Sequence, residues 1–77
     1  MTKEDIIALL HEHLINYSIV MTGHIKGKRY TEAFVYLQLC DAYLGELQYI
    51  QKQEELDNDS IKQRAFTILA YKRQYCN

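Results

Sequence analysis

The histidines and cysteines, His11, His13, His24, Cys40 and Cys76, are the first candidates for a metal site or a catalytic nucleophile. A structural zinc site needs its ligands to converge, and two histidines on a helix do so at a spacing of four. His11 and His13 are two apart, which turns them about 200° from each other around a helix. No Cys-x-x-Cys or His-x-x-x-His occurs, so the reading is no metal and no cofactor. A nucleophilic cysteine needs a basic histidine beside it. Cys40 instead falls mid-stripe and reads as a small buried hydrophobe, while Cys76 is next to last. His13 lies on an apolar stripe and reads as a core or interface histidine. Residues 23–28, Gly-His-Ile-Lys-Gly-Lys, are one residue short of the P-loop spacing and follow a helix, not a strand. A ligand pocket of roughly 300 Å³ or more would also consume most of so small a core. The chain reads as a non-enzyme.

The elements that position these residues follow from apolar periodicity. Ile6, Ile7, Leu10, Leu14, Tyr17, Val20 and Met21 share one stripe of a helix over about 3–22. Thr2 is its N-cap, Glu4 and Asp5 suit its dipole, and Gly23 is its stop. A loop over 23–29 carries two glycines and three positive charges. The second helix is expected over about 30–56, a rod of about 39 Å. Gly45 lies inside it, costing about 1 kcal/mol if exposed or admitting a close crossing if buried. Glu54, Glu55, Asp57 and Asp59 mark a second break, and Asn58 or Asp59 caps a third helix over about 60–75. Its stripe is Ile61, Ala65, Ile68, Leu69, Tyr75 and Cys76. The expected fold is all-α, a single domain forming an antiparallel three-helix bundle with a long central helix.

Composition bounds the function classes. Seventy-seven residues with no proline, no tryptophan and three glycines are neither fibrous nor low-complexity. A chain of this size buries only about 60–65% of its unfolded surface. Completion by self-association is therefore expected. The net charge of −1 supplies no global field toward nucleic acid or membrane. Two cysteines make no disulfide scaffold, and the start, Met-Thr-Lys-Glu-Asp, is acidic where a signal peptide is basic. These features point to a reducing, cytoplasmic setting without a membrane role. The third helix comes nearest to a membrane-binding face, yet it needs Ile61, Ile68 and Leu69 for the core.

The remaining signal is excess apolar surface. The second helix carries a wide stripe of Ala33, Tyr36, Leu37, Cys40, Tyr43, Leu44, Leu47 and Ile50. Roughly opposite lie Val35, Ala42, Tyr49 and Leu56, seven apart, with Phe34 and Gly45 beside them. On the first helix Ala8, Ile15 and Ile19 fall off the main stripe, as does Phe66 on the third. The first and third helices could together cover both seams of the second. That arrangement does not account for Ile15, Ile19 and Phe66 together, nor for so many tyrosines. The favoured reading is a non-catalytic protein–protein interaction module of inhibitor, adaptor or regulator type. It is homodimeric or bound to a larger protein through Ile15, Ile19, Val35, Tyr49 and Phe66. The alternative is a small nucleic-acid-binding regulator. It would use Lys26, Lys28 and Arg29 of the loop, with Lys62 and Arg73 flanking Phe66. The near-neutral charge and the lack of a helix-turn-helix unit weigh against it.

Overall fold

A computed structural model describes residues 1–75. It contains three helices, α1 (Lys3–Lys26), α2 (Tyr30–Lys52) and α3 (Asn58–Tyr75), in an elongated bundle of 43 × 19 × 17 Å. The fold is the all-α three-helix bundle expected, with α2 antiparallel to both neighbours. Cys76, assigned above to the third helix's stripe, lies outside the described residues.

Thr2 begins α1 with a reciprocal pair of bonds. The Asp5 amide donates to Thr2 Oγ1 at 3.3 Å, and the Thr2 amide donates to Asp5 Oδ2 at 2.8 Å. At α3 the cap is Asp57 rather than Asn58 or Asp59. Its Oδ1 accepts from the Ser60 amide at 2.7 Å, and its carbonyl accepts from the Ile61 amide at 3.0 Å. α3 accordingly begins at Asn58, two residues earlier than expected. Hydrogen bonds from these backbone amides hold both Asp5 and Asp57 below the ordinary aspartate range.

The other boundaries depart further from expectation. α1 runs through Gly23 and stops four residues later than the glycine suggested. The actual stop is a Schellman turn, in which the Arg29 amide donates to the His24 carbonyl at 2.8 Å and the Lys28 amide to that of Ile25 at 3.0 Å. Lys28, with φ 59°, takes the left-handed position usually given to glycine. The helical penalty at Gly23, about 1 kcal/mol, is outweighed because the extra turn brings His24 onto Tyr36. α2 ends at Lys52 instead of Leu56, since Gln53 is extended and its carbonyl accepts from the Lys3 ammonium. Glu54 and Glu55 fall just beyond this C-terminus, where the helix dipole disfavours negative charge. The central helix is thus not the longest: α1 has 24 residues and α2 has 23.

Ile6, Leu10, Leu39, Tyr43, Ile50 and Ile68 are fully buried. Five rings from α1 and α2 then interleave in the order His13, Tyr43, Tyr17, Tyr36, His24. Successive centroids are 5.4, 5.9, 5.8 and 5.5 Å apart, with interplanar angles of 16–25°. This is offset stacking between two antiparallel helices. Tyr43 also reaches α3: its hydroxyl donates to the Ile68 carbonyl at 3.1 Å, and the Tyr71 ring meets it edge-on at 6.2 Å. Beside it the buried Glu46 accepts from Arg64 at 3.0 and 3.3 Å.

Tyr43→Phe keeps the ring stack and removes the bond to Ile68. Urea denaturation should show a loss of about 1 kcal/mol; an unchanged midpoint would mean that the hydroxyl contributes nothing. Because the folded-state pKa values of Asp5 and Asp57 are depressed, their stabilisation is full above the ordinary aspartate range and is lost as pH falls through the lowered values. Asp57→Asn keeps a capping oxygen, so its acid unfolding curve, followed by circular dichroism, should be flatter than that of the parent chain.

Candidate interaction surface

Most of the exposed apolar side chains fall into three sets, one on each helix, with Met1, Val20, Ile25 and Tyr49 outside them. On α1, Ile15 and Ile19 stand one turn apart on the face opposite the ring stack, 59% and 65% exposed. On α2, Tyr30, Phe34, Leu37 and Leu44 are exposed at spacings of four, three and seven, a 3.5-residue seam. On α3, Phe66, at 70% exposure, and Leu69 lie between the exposed Lys62 and Arg73. Single exposed apolar residues are ordinary, whereas runs along one face mark contact surfaces.

The five interface residues read from the sequence do not form one patch. Ile15 and Ile19 share the outer face of α1, and Phe66 is on the outer face of α3. These outward faces diverge in a three-helix bundle. Tyr49 is half exposed in a different setting, its ring lying 5.1 Å beneath the Arg64 guanidinium beside α3. Val35 is half-buried, as is Ala42 one heptad on. Four residues placed on inner stripes, Val20, Leu37, Leu44 and Leu69, are exposed instead, while Leu39, placed on neither stripe of α2, is fully buried. α3 packs on the arc of α2 holding Leu39 and Glu46, which rotates the buried sector away from Leu37 and Leu44. A charged residue inside that arc masked it in the sequence pattern.

The basic residues are equally dispersed. Lys26 is the last residue of α1 rather than part of the loop, and Lys28 is exposed in the turn. Arg29 is engaged: its Nε donates to His24 Nδ1 at 2.9 Å, and a terminal guanidinium nitrogen donates to the Gly23 carbonyl at 3.3 Å. Lys62 and Arg73 belong to the α3 face around Phe66.

Among the described residues no three His, Cys, Asp or Glu side chains converge on a common point, and no helix is long and apolar enough to cross a membrane. The concavities are shallow. One, of about 360 Å³, lies between Met1–Glu4 and the α2–α3 link. Another, of about 350 Å³, lies on the outer face of α1 among Ser18, Ile19, Thr22, Gly23 and Lys26. Comparison of the chain with family models, curated proteins and solved structures finds no match.

Ile15→Ser and Phe66→Ser remove apolar surface without opening a cavity. Each should leave the unfolding free energy within about 0.5 kcal/mol of the parent while lowering retention on a hydrophobic-interaction column. A loss of several kcal/mol would instead place these side chains inside the folded core.

Proposed function

We propose that this chain is a small non-catalytic protein–protein interaction module whose outward apolar positions are its contact surface. The observation that carries this reading is the exposure of Ile15, Ile19, Phe34, Leu37 and Phe66 on helices whose inner faces already fill a complete core. Leaving such residues in water gives nothing to folding. Burying one against a partner returns about 1.5–3 kcal/mol before the costs of association. Tyr30 and Tyr49 add amphipathic rings of the type enriched in interface cores. Self-association is the simplest way to cover this surface, and inhibitor, adaptor and regulator roles all fit such a module.

One arrangement favours a second reading. Lys62, Phe66 and Arg73 share one exposed face of α3, where an aromatic ring between two cations suits a phosphate backbone with an unstacked base. The net charge of −1 makes that face local.

Photo-cross-linking separates the two readings. A benzoyl-phenylalanine at position 15, 37 or 66, irradiated in the source cell, should yield adducts to polypeptide. Adducts to nucleic acid from position 66 alone would support the second reading. No adduct from any of the three positions would overturn the interaction module.

A further inference from the structure

We infer that the outer face of α1 is a homodimer interface, on which a second copy of the same helix lies antiparallel. The inference rests on the interaction reading above and names its partner. Ala8, Glu12, Ile15, Ile19, Thr22 and Lys26 follow one another at alternating spacings of four and three, the 3.5-residue period of a helix-pairing seam. All six are exposed. They lie on the side of α1 away from α2 and α3, so a second helix can approach along their whole length.

Charge decides which helix fits. The exposed charges at the start of α1 are acidic: Glu4, Asp5 and Glu12. Lys3 is occupied with the Gln53 carbonyl. Residues 13–25 contain no Asp, Glu, Lys or Arg, and the basic Lys26, Lys28 and Arg29 follow. The face is therefore negative at one end, apolar in the middle and positive at the other. Such a surface complements its own copy only when that copy runs in the opposite direction. A parallel copy would set acid against acid and base against base. The antiparallel register that centres the apolar stretch puts Ile15 of each copy against Ile19 of the other. The same register sets Glu12 opposite Thr22, one turn from Lys26, at both symmetry-related ends.

Two details of the face suit burial. Ser18 and Thr22 donate their hydroxyls back to the Ile15 and Ser18 carbonyls, both at 2.8 Å, so neither donor is stranded when water leaves. Gly23 has open space where a Cβ would stand, next to the depression that Lys26 borders. That depression lies where Glu12 of the second copy would enter.

The test is a charge swap read by sedimentation equilibrium on the full chain, over about 5–500 µM at low salt. Within one chain Glu12 and Lys26 are about 21 Å apart along the helix, too far to pair, so any coupling between them is intermolecular. The parent should dimerise, and Ile19→Asp should be monomeric with parent-like helicity. Glu12→Lys and Lys26→Glu should each weaken association about tenfold, and the double variant E12K/K26E should recover it. A parent that stays monomeric throughout the range would overturn the pairing while leaving heteromeric binding to the cross-linking result. A dimer indifferent to Ile19→Asp, or single charge variants that the double variant fails to rescue, would overturn the antiparallel α1 arrangement.

Discussion

Tyr43 stands where the three helices meet, and the rest of the architecture is organised around its ring. It stacks between His13 and Tyr17 of α1, meets Tyr71 of α3 edge-on, and donates its hydroxyl to a carbonyl in the middle of α3. A fully buried tyrosine must have its hydroxyl satisfied, because an unmade bond in a dry core costs more than a made one contributes. That requirement sets how far α3 can slide along α2. The interleaved rings on the other side set the register of α1. The aliphatic core is thereby given one defined packing by directional aromatic and polar contacts.

The same solution determines what faces outward. Rings at positions 13, 17 and 24 turn one sector of α1 toward α2, so Ile15 and Ile19, on the other side, remain in water. Burial of Leu39 and Glu46 under α3 turns Leu37 and Leu44 outward on α2. The exposed apolar seams follow from a core specified by aromatic stacking and one ion pair instead of by the most hydrophobic arc of each helix.

Which parts of this were legible in the sequence follows from the same physics. Apolar periodicity marked three helices and the inner positions Ile6, Leu10, Tyr43, Ile50, Ile61 and Ile68, because a strong stripe needs no tertiary context. Gly23 misled about the end of α1, since a glycine penalty of about 1 kcal/mol is smaller than what the added turn gains from His24 and the Schellman bonds. Lys28 in a left-handed conformation carries no sequence mark. The rotation of α2 was hidden because Glu46 reads as a solvent residue until Arg64 is placed beside it from eighteen positions away. Tyr17, Tyr36 and Tyr43 fall on the inner stripes that periodicity marks, and only the surplus of tyrosines points toward an interface. Their stacking with His13 and His24 is not contained in a stripe, although the seven-residue intervals from Tyr17 to His24 and from Tyr36 to Tyr43 are the available signal. Ile15 and Ile19 were legible as surface residues because they oppose a clear stripe. Their separation from Phe66 and Tyr49 depends on the arrangement of helices, which periodicity along one chain does not contain.

In the proposed dimer, an aromatic-locked bundle leaves the uncharged middle of α1 to be covered by its own copy. That pairing is tested most directly by isotope-filtered nuclear Overhauser spectroscopy on an equal mixture of labelled and unlabelled chain. Intermolecular cross-peaks between the methyl groups of Ile15 and Ile19 are the predicted result. A spectrum at millimolar concentration with no intermolecular peak from either isoleucine would contradict it.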